Sequence, residues 1–235
     1  MRKIILALDN PDLEIASSWI EALNGEVSVF KLGLEFFMKN GAVGVRELQK
    51  RHNFDLFLDL KLHDIPNTVA GAVRSIEDLK PRFLTVHASG GYEMIQQAAQ
   101  VSSDIGITGV TILTSLDQSD LTEIGYSSTP LESAISLAKL ANRAGARAIV
   151  SSPLEVAQIR NAVGPELTLI TPGVRPASTS TSDDQKRVMT PSDAIRAGAN
   201  YLVIGRPITG EFSKGINAAR DAAMIINAEI NSAII

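Results

Sequence analysis

Short apolar runs alternate with amphipathic segments along the whole chain. The runs are rich in Val, Ile and Leu, which is typical of parallel strands covered on both faces. Eight of them are predicted as strands: Ile4–Leu8, Val29–Leu32, Leu56–Leu60, Phe83–Val86, Ile107–Leu113, Ala148–Val150, Leu167–Ile170 and Tyr201–Ile204. Helix signals fall between these runs, so strands and helices are expected to alternate.

Two helix starts carry capping residues. Asn10–Pro11–Asp12 supplies a cap, a first-turn proline and an early acid, while Thr190–Pro191–Ser192–Asp193 resembles a capping box, with Gly198 able to end that helix.

Eight strands alternating with helices predict an α/β fold, a (β/α)₈ TIM barrel. An open doubly wound sheet has the same local pattern and is the alternative. The length of 235 residues favours one barrel domain over residues 1–235.

The amino-acid composition excludes several classes of catalytic and binding site. The chain has no cysteine, which excludes disulfides, thiolate nucleophiles and Cys-held zinc or iron–sulfur centres. A formal charge of −4 argues against a nucleic-acid-coating surface. The apolar tail from Ile216 to Ile235 is interrupted by Arg220, Asp221 and Glu229, so it is predicted as an amphipathic helix and no membrane span is expected. No targeting segment is recognised, and a cytoplasmic location is expected.

One polar stretch stands apart from this pattern. Residues 177–186 include five consecutive Ser or Thr residues, between strand seven and the next helix. Such a run is most often a mobile loop. The alternative is a lid over a ligand, which we place around residues 175–189.

Polar residues cluster where the predicted strands end. The active site of an α/β barrel lies at the carboxyl ends of its strands. The candidates there are Asp9, Lys31, Asp59, Lys61, Asp64, His87, Thr114, Ser115, Ser151, Ser152, Thr171, Arg175, Gly205 and Arg206.

The charged candidates divide into two groups. Buried charges need partners, so Asp9, Lys31, Asp59 and Lys61 are expected to form one alternating network; a purely structural ion pair is the alternative for Asp59 and Lys61. A second group follows strands seven and eight, where phosphate sites of such barrels are commonly built, and includes Gly205 and two arginines. Its arginines are Arg175 and Arg206.

Metal and histidine chemistry is weakly indicated. His52 and His63 are interpreted as ordinary surface or core residues, and a structural role for His87 is at least as well supported as a pocket role. Three scattered histidines argue against a His-rich metal site, while a carboxylate-held Mg²⁺ stays open. No GxGxxG, P-loop or GxSxG motif is present.

Leu58–Asp59–Leu60–Lys61–Leu62–His63–Asp64–Ile65–Pro66–Asn67–Thr68 resembles the signature of the orotidine 5′-phosphate decarboxylase family. Six further segments carry the resemblance in the same order: Leu8–Asp9, Phe30–Gly33, Val86–Gly91, Leu113–Ser115, Thr171–Pro176 with Asp184–Val188, and Val203–Pro207. It spans nearly the whole chain.

The resemblance implies decarboxylation of orotidine 5′-monophosphate to uridine 5′-monophosphate, without cofactor or metal. Lys61 would donate a proton to carbon 6, Asp59 and Asp64 would flank the departing carboxylate, and Lys31 would hold the ribose. Asp9 would contact the nucleoside, Thr68 the ribose, and Thr114 the base. The phosphate would be bound by Arg175, Gln185, Gly205 and Arg206. A homodimer is implied, with Asp64 and Thr68 reaching the partner's site.

Two other functions are compatible with the sequence. A phosphosugar enzyme of the same superfamily, such as a keto-gulonate-phosphate decarboxylase or hexulose-phosphate synthase, would share Asp-x-Lys-x-x-Asp but use Mg²⁺. A non-catalytic nucleotide-binding barrel would bind ligand without turnover, and it has no use for the Asp–Lys–Asp array. The His63–Thr68 continuation favours the nucleotide enzyme.

Overall fold

Eight parallel strands close into a barrel in the computed structural model, which describes residues 2–176 and 189–233. Each strand pairs with the next along the chain, and the last pairs with the first. The strands are β1 Ile4–Leu8, β2 Val29–Gly33, β3 Leu56–Leu62, β4 Phe83–His87, β5 Gly106–Val110, β6 Ala148–Val150, β7 Thr168–Thr171 and β8 Tyr201–Ile204. The (β/α)₈ prediction is confirmed, and the open sheet is excluded because β1 and β8 pair directly.

Helices surround this barrel. They are α1 Leu13–Leu23, α2 Leu34–Arg51 (with a break at Gly41), α3 Pro66–Ser75, α4 Tyr92–Val101, α5 Gln118–Glu123, α6 Pro130–Arg143, α7 Val156–Val163, α8 Pro191–Arg196, α9 Arg206–Thr209 and α10 Ile216–Ser232. Across the described ranges, none of them is both long and apolar enough to cross a membrane.

Alternation along the strands sorts the core into two layers. Ile4, Leu6 and Leu8 of β1 belong to the large cluster between the strands and the helices. Ile5 belongs instead to a small cluster with Val29 and residues from β3, β4, β6 and β7. Successive strand side chains point to opposite faces, so the small cluster fills the barrel interior. Asp9, two residues past Ala7, continues the inward-facing series.

Two boundary predictions were wrong. The fifth strand ends at Val110, and Ile112 is a buried loop residue, so the apolar signal there reflects burial without strand structure. Asp12 is the cap of α1, accepting from the N–H groups of Glu14 and Ile15, so Pro11 lies outside the helix instead of in its first turn. The cap at Thr190, with Pro191 at the first helical position, is confirmed.

Candidate active site

A cavity of about 240 Å³ opens at the carboxyl ends of the strands. Parallel strands bring these ends together at one rim of the barrel. Nine of the strand-end candidates line the cavity: Asp9, Lys31, Asp59, Lys61, Thr114, Ser151, Arg175, Gly205 and Arg206. Val110, Ile112 and Val150 add an apolar wall. The cavity therefore combines fixed charges with a surface suited to a flat, weakly polar ring.

Four charged side chains form a continuous chain along one side of this cavity. Lys31 Nζ lies 3.2 Å from Asp9 Oδ1 and 3.4 Å from Asp59 Oδ2. Lys61 Nζ lies 2.8 Å from Asp59 Oδ1. The side chains of Lys31 and Asp59 are 10% and 15% exposed, whereas that of Asp9 is 66% exposed. The predicted network exists, and its two central members are the buried ones.

The network keeps its central groups ionised. Burial alone would lower the pKa of Lys31, but Asp59 and then Asp9 raise this pKa above its usual 10.5. Burial alone would raise the pKa of Asp59, but Lys31, then Lys61, and hydrogen bonds from Lys61 and Thr85 lower it below 3.8. Each group therefore holds its neighbour in the charged form.

Strand β3 is irregular where it enters the site. Leu58 pairs with Leu84 and Leu62 with Val86, so β3 uses two more residues than β4 over the same span. Within this bulge Lys61 has a φ of 48°, in the left-handed region that non-glycine residues seldom adopt. Simple strand alternation, from which the meeting of Asp59 and Lys61 was predicted, is thus not what brings their side chains together.

The arginine side of the cavity comes from the last two strands. Arg175 follows β7 and donates from Nη1 to the Val174 carbonyl at 3.0 Å, while Arg206 begins α9 directly after β8. At position 205 a Cβ would lie 3.4 Å from Ala7 Cβ and 3.5 Å from Asp9 Oδ2. Glycine there keeps the cavity open between the arginines and the acidic end.

Two predicted residues, Asp64 and Thr68, do not line this cavity. Asp64 and Thr68 are exposed at the start of α3, and Asp64 Oδ1 accepts from the Ile65 N–H at 2.6 Å. Gln185, and most of the lid predicted around residues 175–189, lie outside the described residues.

The histidines lie apart from the cavity lining. The His63 and His87 rings are 5.6 Å apart, and burial, followed by the charges of His63 and Lys61, lowers the pKa of His87. His52 hydrogen-bonds Ser17 Oγ at 2.7 Å. Over residues 2–176 and 189–233, no group of three His, Cys, Asp or Glu side chains could hold a metal ion.

Sequence reasoning missed one hydroxyl of the site and assigned no role to another. Thr85, fully buried on β4, contacts both Asp59 and Lys61, and Ser151 after β6 lines the cavity with its Oγ lacking a hydrogen-bond partner. Strand alternation, which faces Phe83 and residue 85 inward together, could have indicated Thr85. Ser151 was among the strand-end candidates, but a lone serine gave no reason to single it out.

A sequence model of the "Orotidine 5'-phosphate decarboxylase / HUMPS family" matches residues 2–221. The chain belongs to this family. Among its curated relatives, an orotidine 5′-phosphate decarboxylase from Thermobifida fusca is 50% identical over 220 residues, covering 94% of each chain. Another from Actinobacillus succinogenes is 46% identical over 227 residues, covering 92% of this chain and 97% of the relative.

Solved structures agree with the family assignment. The crystal structure of orotidine 5′-phosphate decarboxylase from Lactobacillus acidophilus superposes with a TM-score of 0.84 at 32% identity, covering 98% of this chain and all of that one. Because the superposition covers the full barrel, the strand-end residues of this chain lie on the same backbone fold as in that enzyme.

Proposed function

We infer that this chain decarboxylates orotidine 5′-monophosphate to uridine 5′-monophosphate and CO₂, as a carboxy-lyase of pyrimidine nucleotide synthesis, with Lys61 as the proton donor. The observation that carries the proton-donor assignment is the ion-pair chain Asp9–Lys31–Asp59–Lys61 inside a cavity that also holds two arginines. The substrate has a matching shape, with a reacting pyrimidine at one end and a phosphate at the other.

The reaction breaks the bond between carbon 6 of the pyrimidine and its carboxylate carbon. CO₂ departs, the electron pair stays on carbon 6, and a proton from Lys61 Nζ fills that position; water later restores the ammonium. Because Asp59 keeps Lys61 close to a fixed position, the positive charge is in place before the carbanion forms. Such a preorganised charge stabilises the transition state without solvent reorganisation, and the same group then acts as general acid.

Two further roles follow from charge. We assign Asp59 and Asp64 to the surroundings of the departing carboxylate, where carboxylates disfavour the bound ground state relative to the neutral CO₂ product. Lys31 and Asp9 would hold the ribose, and Thr114 the base. Arg175, Gln185, Gly205 and Arg206 would hold the phosphate, whose binding energy, realised far from carbon 6, can order the site for chemistry.

A phosphosugar substrate is the alternative within the same family. The relatives at 46–50% identity carry the decarboxylase name, which supports the nucleotide substrate. The apolar wall of Val110, Ile112 and Val150 also suits a pyrimidine ring better than an open-chain sugar.

The direct test mixes purified protein with orotidine 5′-monophosphate and EDTA and follows the loss of pyrimidine ultraviolet absorbance. Turnover that EDTA does not affect supports the proposal. Turnover abolished by EDTA and restored by Mg²⁺ would contradict the metal-free mechanism. Binding of the nucleotide without turnover would support a binding barrel, and neither binding nor turnover would favour a phosphosugar enzyme.

We also propose a homodimer in which Asp64 and Thr68 enter the partner's cavity. Both are exposed at the start of α3 and do not line the cavity of their own chain. The segments after β2, β3 and β4 also expose large apolar residues: Leu34 (43% exposed), Met38 (77%), Ile65 (66%) and Tyr92 (43%). Large apolar residues exposed on three successive segments at this end of the barrel favour a self-association surface there.

Mixing two inactive variants tests the shared site. Lys61→Ala and Asp64→Asn each disable every site of their own homodimer. In a heterodimer, one site collects both changes and the other is intact, so statistical exchange predicts recovery of about a quarter of wild-type activity. No recovery after verified subunit exchange would place Asp64 in its own chain's site.

The substrate is a highly anionic nucleotide that does not cross bilayers unaided, so we propose the cytoplasm as the location.

A further inference from the structure

One hydroxyl sits between the two residues assigned to the chemistry. Thr85 Oγ1 accepts the backbone N–H of Lys61 at 2.8 Å and donates to Asp59 Oδ1 at 3.0 Å. The same carboxylate oxygen accepts from Lys61 Nζ at 2.8 Å. Thr85 is fully buried, so water does not compete for these contacts.

The hydroxyl occupies the place of a missing ladder bond. Between the Leu58–Leu84 and Leu62–Val86 pairs, β3 bulges away from regular pairing with β4. A backbone N–H in a bulge needs another acceptor. Thr85 supplies that acceptor to Lys61, the residue with φ of 48°. A left-handed conformation in a non-glycine residue persists only when its surroundings hold it there.

We propose that Thr85 is a positioning residue for the decarboxylation, holding the bulged backbone of Lys61 and the carboxylate of Asp59 in one fixed arrangement. It touches neither substrate nor reacting atoms; it acts through the two residues that do. The inference rests on the proposed role of Lys61 and names the group that sets the direction of its ammonium. Lysine has a flexible four-carbon stem, so the backbone direction and the Asp59 contact together determine where Nζ lies.

This arrangement separates chemistry from binding. The described phosphate and ribose groups of the same chain, Asp9, Lys31, Arg175, Gly205 and Arg206, lie on or directly after other strands, and the hydrogen bonds of Thr85 go to Asp59 and Lys61. Loss of its hydroxyl should therefore slow proton transfer to carbon 6 while leaving nucleotide affinity nearly unchanged. Donation to Asp59 also helps keep that carboxylate ionised, so loss of the hydroxyl should raise the pKa of Asp59.

The test compares Thr85→Val, which removes the hydroxyl at nearly constant shape, with Thr85→Ser, which restores it. Thr108→Val is the matched control, because Thr108 pairs with Thr85 on β5, is equally buried, and donates only to the Gly106 carbonyl of its own strand. Single-turnover decarboxylation of orotidine 5′-monophosphate gives the chemical rate, calorimetry gives the Kd for uridine 5′-monophosphate, and thermal melting reports folding.

We expect Thr85→Val to lower the chemical rate about 10- to 100-fold, the range for a lost hydrogen bond to a charged group, with Kd changed less than about threefold. Thr85→Ser should recover most of the rate. In the pH–rate profile of Thr85→Val, the loss of activity on the acid side should move to higher pH. A Thr85→Val rate within about threefold of wild type, or a loss matched by Thr108→Val or left unrescued by serine, overturns the proposal. An inactive wild-type protein would instead refute the proposed function.

Discussion

Replacing Asp59 by asparagine removes a carboxylate that contacts both Lys31 and Lys61. At an effective dielectric constant of about 20, unit charges attract by about 5 kcal/mol at 3.4 Å and about 6 kcal/mol at 2.8 Å. Desolvation offsets much of this gross attraction, and breaking a buried pair costs about 3–5 kcal/mol. Because Asp9 still contacts Lys31, we expect the lower end, a loss of about 3 kcal/mol in the free energy of unfolding.

Urea unfolding and calorimetry at neutral pH measure this loss, which corresponds to a Tm lowered by about 6–12 °C for a chain of this size. Asp78→Asn is the matched control. Asp78 pairs with Arg46 at 2.7 Å, a shorter distance, but both side chains are about half exposed, so the expected loss is much smaller than that for Asp59→Asn. Equal losses in the two variants would refute the reasoning that burial, not distance, gives the Asp59 network its strength.

The remaining predictions concern pH and phosphate. The stabilisation from Lys31, with its raised pKa, is present below pH 10.5 and lost only above that, while the stabilisation from Asp59, with its lowered pKa, is present above 3.8 and lost as pH falls below it. The difference in free energy of unfolding between wild type and Asp59→Asn should therefore be constant from about pH 5 to 9 and should become smaller in stronger acid. A change of this difference within the neutral range would contradict this. Arg206→Ala should lower kcat/KM for orotidine 5′-monophosphate about 10- to 100-fold but leave activity toward unphosphorylated orotidine nearly unchanged, and equal losses would remove Arg206 from the phosphate site.

Much of the framework follows from two-residue alternation along the strands. Ile5 and Asp9 lie on the same side of β1 and its extension, as do Val29 and Lys31 on β2, so apolar residues fill the barrel while charges two or four positions later reach its mouth. These local patterns, repeated on neighbouring strands, were sufficient to predict the fold and to bring Asp9, Lys31 and Asp59 together.

The geometry at Lys61 could not be predicted in the same way. Nothing in the run from Leu58 to Leu62 indicates a bulge, because its apolar alternation continues unbroken and a positive φ is unusual for lysine. Within the irregular segment the Lys61 N–H is accepted by the Thr85 hydroxyl, which is distant in sequence and adjacent only in the barrel. Strand boundaries failed for a related reason, since burial of Ile112 outside the sheet produces the same apolar signal as a strand.

The central claim is that the Lys61 ammonium protonates carbon 6. The most direct measurement compares decarboxylation by Lys61→Ala with that by wild type and by Lys50→Ala, an exposed lysine of α2 outside the cavity. We predict that Lys61→Ala binds uridine 5′-monophosphate but nearly loses turnover, while Lys50→Ala matches wild type. Near-normal turnover by Lys61→Ala would contradict the proposed mechanism.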